Sequence, residues 1–476
     1  IDNYLLNMID EIANFKNIDI PLPKINGELR EYQIEGYRWL SILSKYHLGG
    51  ILADDMGLGK TVQIITLLKA NTINKPSLIV CPKTLIFNWK SEFLKFDLET
   101  KIVEIYGTSN KREELINSID YNENAVYITS YESLRSDVDL YKNEFKYFIL
   151  DEAQVIKNVY AGKSVAVKNV KAEYKFALTG TPVENNIIDL WSIFDFIMPN
   201  YFEELKDFKA KYTQDKNFVD KISKRITPFI LRRTKENVLD DLPSKYEHIM
   251  TVSMSSDQQK IYDSFKLEAQ NMLKVSKVPF DLFPYLMKLR QICIDPSLFL
   301  EEYSGISSKM ETLKELVTEY ISDGHKILIF SQFVKALDIV ERFLIDKGIN
   351  YFYLTGKTEA AKRKEYADEF NANDSVKVFL ISLKAGGTGL NLIGADTVIH
   401  LDPWWNQAVE AQATDRTYRI GQVKNVEVIK LICEDSIEKR VIELQNIKKD
   451  LIDKLISNDD TNITKLSKED LSFILN

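Results

Sequence analysis

Short β-rich runs alternate with helical stretches twice along this chain, and the alternation is broken once. Between about residues 25 and 198, strands are expected at Gly50–Ala53, Leu78–Cys81, Ile102–Tyr106, Val126–Thr129, Tyr147–Leu150 and Phe176–Thr179. Segments such as Thr84–Phe96 carry apolar residues at helical spacing. Strand–helix alternation predicts a parallel sheet covered by helices on both faces. Across 199–305 charged and aromatic helical patterns take over (Glu203–Tyr212, Gln258–Leu273, Tyr285–Ile292), and a helical insertion is expected there. Alternation resumes with strands at Ile327–Phe330, Tyr351–Leu354, Val376–Ser382, Thr397–Leu401 and Val426–Leu431. The helices expected among them are Met310–Ile321, Ala336–Lys347, Glu359–Phe370 and Ala408–Tyr418. A long helix, Ile437–Leu455, and a short one from Ser467 close the chain. The fold class is α/β, with two parallel-sheet lobes joined by a helical middle.

Composition narrows the chemistry. With 476 residues, 45% hydrophobic and 28% charged, the chain can bury large cores and is neither disordered nor fibrous. A net charge of −8 excludes a uniformly basic nucleic-acid binder but leaves room for a local basic groove. Cys81, Cys293 and Cys433 lie far apart and make no disulfide framework or C-x-x-C zinc site, so a reducing compartment is expected. The four histidines form no H-E-x-x-H pair. No apolar run approaches the roughly 18 residues of a membrane span. Asp2, Asp10 and Glu11 rule out a signal peptide. The chain begins with Ile rather than Met, and a fragment or processed form is expected.

The stretch Gly49-Gly50-Ile51-Leu52-Ala53-Asp54-Asp55-Met56-Gly57-Leu58-Gly59-Lys60-Thr61 runs from a strand through a glycine-bearing loop into an apolar helix. Glycines let backbone N–H groups approach phosphate oxygens, and a helix start adds partial positive charge. In that reading Lys60 reaches the β/γ-phosphates and Thr61 ligates Mg²⁺. The generic pattern G-x-x-x-x-G-K-[ST] has Gly where this chain has Asp54. Downstream, Tyr147–Leu150 leads into Asp151-Glu152-Ala153-Gln154. Carboxylates at the end of a buried parallel strand sit where ligands bind such sheets. Asp151 is expected to hold Mg²⁺ and Glu152 to position the attacking water. Taken alone the pair is a pair of solvated loop acids; after an aliphatic strand and a phosphate loop it reads as a site. Gln412, Arg416 and Arg419 lie in Gln412-Ala413-Thr414-Asp415-Arg416-Thr417-Tyr418-Arg419. A helix would put the two arginines on one face, where they could stabilise the charge of phosphoryl transfer; a surface salt-bridge pair is the plain alternative.

Taken in order, these segments resemble the Swi/Snf-type ATPases of the superfamily-two helicase-like proteins. The matching runs are Leu29-Arg30-Glu31-Tyr32-Gln33-Ile34-Glu35-Gly36, the loop from Ala53 to Thr61, Asp151-Glu152-Ala153-Gln154 and Leu178-Thr179-Gly180-Thr181-Pro182-Val183-Glu184-Asn185. They continue with Leu231-Arg232-Arg233-Thr234-Lys235, the run from Ser382 to Leu392, and Arg419-Ile420-Gly421-Gln422. The resemblance covers about residues 25–450. It accounts for Asp54, and it departs at Gln154, where many members have His. It implies two RecA-like lobes with helical protrusions between them and a C-terminal helical brace. The implied division is 1–24 as an N-terminal helical segment and 25–245 as the first ATPase lobe with its protrusion. Then come 246–308 as protrusion and linker of the second lobe, 309–458 as the second lobe with the brace helix, and 459–476 as a tail helix.

Carried over by position, Gln33 resembles the residue that reads the adenine edge. Asp55, Met56, Gly57, Leu58, Gly59, Lys60 and Thr61 would surround the phosphates. Gly389 and Asn391 would meet ribose and phosphate from the second lobe. Thr179 and Thr181 resemble coupling elements. The family's duplex path implies contacts at Pro82, Lys83, Thr129, Ser130, Gln332, Gly356, Lys357, Ser382 and Lys384. Trp404-Trp405-Asn406 also fits, as does the pair Arg232-Arg233. The implied function is an ATP- and Mg²⁺-dependent translocase on double-stranded DNA. It would remodel protein–DNA complexes without separating strands, as a monomer in the cytoplasm or, in a eukaryote, the nucleus. The alternatives are an RNA or forked-DNA helicase and a nucleotide-gated DNA-binding scaffold with weak hydrolysis.

Overall fold

The computed structural model describes residues 3–443 and 445, apart from 72, 181–186, 216–217, 239–241, 276–278, 387–389 and 405–406. Contacts divide the chain into two compact units, Ile1–Asp240 and Asp241–Asp450. Each is built on one parallel sheet.

In the first unit the strands are β1 (Gly50–Leu52), β2 (Ser77–Cys81), β3 (Lys101–Glu104), β4 (Ala125–Ser130), β5 (Phe145–Leu150), β6 (Ala172–Leu178) and β7 (Ile230–Leu231). They lie in the order β3-β4-β2-β5-β6-β1-β7. Leu52 pairs with Leu178, and Leu150 with Ala177, so β1, β5 and β6 end at one level. Because successive side chains point to opposite faces, a strand covered on both sides must be apolar throughout. Along β1, β2 and β5 this is realised but for Ser77 and Lys146, whose ammonium is paired with Glu173: Ile51, Val80 and Phe148 join one core, Leu52, Ile79 and Ile149 the other.

The second unit repeats the plan with β8 (Lys245–Val252), β9 (Ile327–Ser331), β10 (Tyr351–Leu354), β11 (Val378–Ser382), β12 (Thr397–His400) and β13 (Val426–Cys433), in the order β10-β11-β9-β12-β13-β8. Ile327, Leu380 and Ile399 face one core, and Leu328, Ile381 and Val398 the other. The helices Ser256–Val275 and Phe283–Ile294 pack on each other around Tyr262, Leu286 and Leu289.

The structure departs from expectation in the helical middle. Helices are there, but so are β7 and β8, both on sheet edges. β7 is two residues long, below any periodic signal. In β8 all but Val252 are exposed or half-exposed, so no apolar run marks it. The expected helix Ala408–Tyr418 is Gln407–Thr414. The expected helix Ile437–Leu455 is described only as far as residue 445, and the tail helix from Ser467 lies outside the described residues. Among the described residues, no helix is long and apolar enough to cross a membrane.

Candidate nucleotide site and nucleic-acid groove

Parallel strands bring the loops after β1, β2, β4, β5 and β6 to one edge of the first sheet. After β1 the chain turns through Gly57 and Gly59, at φ +88° and +79°, a region that glycine enters without Cβ strain. At Gly59 a Cβ would also stand 2.5 Å from Gln33 Nε2. Gly59 precedes the helix Lys60–Lys69, and no side chain caps that helix. Its first N–H groups therefore have no intrahelical acceptor, as an anion site requires. Lys60 Nζ donates to the carbonyl oxygens of Asp54 (2.5 Å) and Asp55 (3.3 Å). Thr61 and Met56 are half-buried beside it, and Leu58 is fully buried. Gln33 is buried; its amide donates to Leu58 O at 3.2 Å and accepts from Arg30 N at 3.0 Å.

Asp151 follows β5. Its Oδ2 accepts from Trp89 Nε1 at 2.8 Å and its Oδ1 from Glu152 N at 2.9 Å, while Tyr131 Oη donates to its carbonyl at 2.8 Å. Burial, and next the adjacent Glu152 carboxylate, push the Asp151 carboxyl up to about 7; Trp89 and Lys60 act against this. A carboxylate so placed suits a cation, since positive charge would offset both causes. With the Thr61 hydroxyl, the donor set is oxygen throughout, as Mg²⁺ prefers. Glu152 has φ +52° and ψ +52°, a left-handed conformation that costs a non-glycine residue roughly 1–3 kcal/mol and clusters at functional sites. Gln154 Nε2 donates to Glu152 Oε2 at 2.7 Å, and Thr179 Oγ1 donates to Gln154 Oε1 at 2.8 Å. One amide thus bridges the acid after β5 and the hydroxyl after β6.

Two known family domains match this chain one after the other. Residues 32–298 match the SNF2-related domain, and residues 308–421 match the helicase conserved C-terminal domain. The chain belongs to the SNF2-related family. Among similar proteins, an uncharacterized ATP-dependent helicase of Mycoplasma genitalium is 39% identical over 94% of this chain and 44% of its own length. A mouse SWI/SNF-related matrix-associated actin-dependent regulator of chromatin, subfamily A member 1, is 35% identical over 94% of this chain and 45% of its own length. The chain therefore spans less than half of these relatives. The solved SWI2/SNF2 ATPase core of Sulfolobus solfataricus in complex with dsDNA is 33% identical, covers 96% of this chain and 98% of that one, and gives a TM-score of 0.47.

In the first unit of this SNF2-related chain, a hollow of about 520 Å³ opens beyond β2, β3 and β4. Lys83, Tyr106, Thr108, Arg112, Ser130 and Ser133 line it, together with the carboxylate of Glu132. Pro82 and exposed Lys83 follow β2. Ser130 is buried; it accepts from Ser133 N at 3.1 Å and caps the helix Tyr131–Asp137. Thr129 is corrected: it lies inside β4, fully buried, and its hydroxyl donates to Ile105 O at 3.3 Å. Tyr106, Thr108, Arg112 and Ser133 were not singled out from sequence. They are ordinary loop and helix residues until the sheet brings three strand ends together. Trp89 was missed too; at helical spacing an indole reads as core, and only its N–H partner shows more.

In the second unit, Gln332 follows β9, with its Oε1 accepting from buried Arg290 at 3.0 Å and its N–H donating to Asp402 at 3.2 Å. Gly356 and Lys357 are exposed in the turn after β10. Ser382 ends β11 and is buried; the side chain of Lys384 and all of Gly389 lie outside the described residues, as do Thr181 and Trp405-Asn406. Asn391 is exposed, and its carbonyl accepts from Asn371 at 2.8 Å. Trp404 is half-buried against the second core. Gln412 lies in the helix Gln407–Thr414. Arg416 and Arg419 do not share a helical face, because that helix ends at Thr414 and both follow in turns. Arg416 is 1% exposed, and Arg419 is half-buried, reaching Leu390 O at 3.5 Å.

Proposed function

We propose that this SNF2-related chain is the motor core of an ATP-dependent translocase on double-stranded DNA. It would couple hydrolysis to movement along the duplex and remodelling of protein–DNA complexes, without strand separation. The observation that carries the reading is the run from Glu152 through Gln154 to Thr179 beside the phosphate loop. It supports an acid whose position is tied to a second sheet loop, which is what coupling hydrolysis to another event requires. In this reading the helix start and Lys60 bind the β/γ-phosphates, and Thr61 and Asp151 would hold Mg²⁺. The ion, when bound, neutralises charge on the phosphates. Glu152 orients the attacking water. Arg416 and Arg419 stabilise charge on the transferred phosphoryl group.

Duplex DNA as substrate is supported by family membership and by the exposed Lys83 and the hydroxyl groups of the hollow after β2–β4, where Arg112 is already paired with Asp137. Such groups position a phosphate backbone without reading bases. The name of the mouse relative, a regulator of chromatin, points the same way. The deciding experiment is the ATPase rate with duplex DNA, single-stranded DNA and RNA across a salt series. Stimulation by duplex DNA is expected, falling as salt rises because phosphate contacts release counterions. Equal stimulation by duplex DNA and structured RNA, or none by either, would remove the DNA reading; strand displacement would make the chain a helicase instead.

A further inference from the structure

Asp54 occupies the glycine position of the generic phosphate loop, and its carboxylate is fully buried. Burying a carboxylate is unfavourable unless it is paired and hydrogen-bonded. Here the partner is Arg233, two residues beyond β7. Its Nε donates to Asp54 Oδ1 at 2.9 Å and its Nη2 to Asp54 Oδ2, a two-pronged contact that only a guanidinium can make. Gln63, in the helix after the loop, donates to Asp54 Oδ2 at 3.1 Å and accepts from Arg233 Nη2 at 2.8 Å.

The same guanidinium reaches a third element. Arg233 Nη1 donates to the carbonyl of Tyr32, and the group lies 5.3 Å from the Tyr32 ring centre. Tyr32 Oη in turn donates to Leu58 O at 3.1 Å, next to the donation from Gln33. The helix Glu31–Lys45 makes room for this with Gly36: a Cβ there would stand 1.7 Å from Gln63 Oε1 and 2.8 Å from Arg233 Nη2. Glycine inside a helix costs about 1 kcal/mol relative to alanine, and here its absent side chain is the slot that the guanidinium and amide fill. The backbone repeats the tie. Ala53 N donates to Leu231 O at 2.7 Å, Asp55 N to Arg233 O at 2.9 Å, and Lys235 N to Asp55 Oδ2 at 3.1 Å. The carbonyls that hold Lys60 Nζ are those of Asp54 and Asp55, the residues strapped in this way.

We propose that Arg233 is a positioning residue for the nucleotide: through Asp54 it sets the first turn of the phosphate loop and the aim of Lys60, and through Tyr32 it locks that loop to the Gln33 helix. The inference rests on the reading of the loop as an ATP site. A lysine at 233 keeps the charge and loses the fork, so it satisfies Asp54 without holding all three elements.

The test uses the full chain and a fluorescent ADP analogue with Mg²⁺, with equilibrium affinity measured well below each variant's own melting midpoint. Arg233→Lys, Asp54→Asn and Gly36→Ala are compared with Lys60→Ala and wild type. Arg233→Lys and Gly36→Ala are each expected to bind at least about tenfold more weakly. A merely structural ion pair would lower the melting midpoint and leave the affinity of the folded protein alone. If Arg233→Lys does not fold, Gly36→Ala and Asp54→Asn, which leave the arginine in place, carry the test on the same criterion. Folded variants that bind within about twofold of wild type, while Lys60→Ala does not bind, overturn this inference and leave the ATP site standing. Wild-type affinity in Lys60→Ala as well overturns both.

Discussion

Glu152 and Lys60 act on different stages of the proposed reaction, and their variants should part accordingly. Lys60→Ala removes a phosphate contact and should abolish most hydrolysis together with nucleotide affinity. Glu152→Gln keeps shape and loses the charge that orients water; it should bind nucleotide normally and hydrolyse little. Nucleotide titration beside single-turnover rates separates the two, and wild-type turnover in Glu152→Gln would remove the assigned role. Gln154 can be placed on the same scale. Its amide holds Glu152 Oε2 at 2.7 Å while accepting from Thr179. A hydrogen bond to a charged group is worth roughly 1.5–3 kcal/mol. Gln154→Leu should therefore lower kcat by about tenfold or more with little change in KM. Unchanged kcat at saturating DNA would mean that the bridge is not used.

At the scale of elements, the second sheet carries a pH dependence. His400 ends β12, stacks on Phe330 at 5.6 Å between ring centres, and shares a hydrogen bond of 3.1 Å with Thr414. Burial, and next the Lys430 ammonium, hold its imidazole down at about 3, with Glu247 and Asp402 acting in the opposite direction. The folded state thus binds the proton more weakly than the unfolded chain, whose value is near 6.5. Stability from this group is complete above about pH 6.5 and is lost as pH falls toward the folded value. One pH unit in that window is worth about 1.4 kcal/mol. Between pH 6.5 and 5.5, where the unfolded imidazole starts half protonated, the wild type should lose about 1 kcal/mol of stability of the second unit beyond any loss in His400→Gln, where no imidazole titrates. Denaturant titrations of both proteins at the two pH values would check it; equal losses would show that His400 is not the cause.

For the whole molecule, the proposed function asks residues of both units to serve one reaction. Arg416 and Arg419 lie more than three hundred positions after Lys60, in a unit with its own sheet and cores. If they stabilise the transition state, Arg416→Ala and Arg419→Ala should each reduce kcat by several orders of magnitude and change nucleotide affinity little. Arg419→Lys should recover only part of the rate, because charge returns without the planar fork. Near-wild-type kcat for both alanine variants at saturating duplex DNA would end the two-unit motor reading. Arg416 is buried, so its variant also needs a melting curve to show that the second unit still folds.

Much of this architecture was legible in residue order alone. Strands buried on both faces must be apolar at every position, so runs such as Leu78–Cys81 and Val126–Thr129 announced β2 and β4 to within a residue. A strand ending in Gly57-Leu58-Gly59-Lys60-Thr61 announced a phosphate loop because glycine, lysine and a helix start are a local combination. What the sequence could not determine is contact between residues far apart, since hydrogen bonds and burial depend on distance in space. β7 is too short to show a period and β8 carries no apolar run; their neighbours β1 and β13 make them strands. Thr129 was implied as a DNA contact, but the sheet encloses its hydroxyl, which donates to Ile105 O. Trp89 looked like core until its N–H met Asp151, 62 positions away. Asp54 looked like a departure from a glycine motif. Its partner Arg233 stands 179 positions on, and only the fold closes that distance around a carboxylate that could not otherwise be buried.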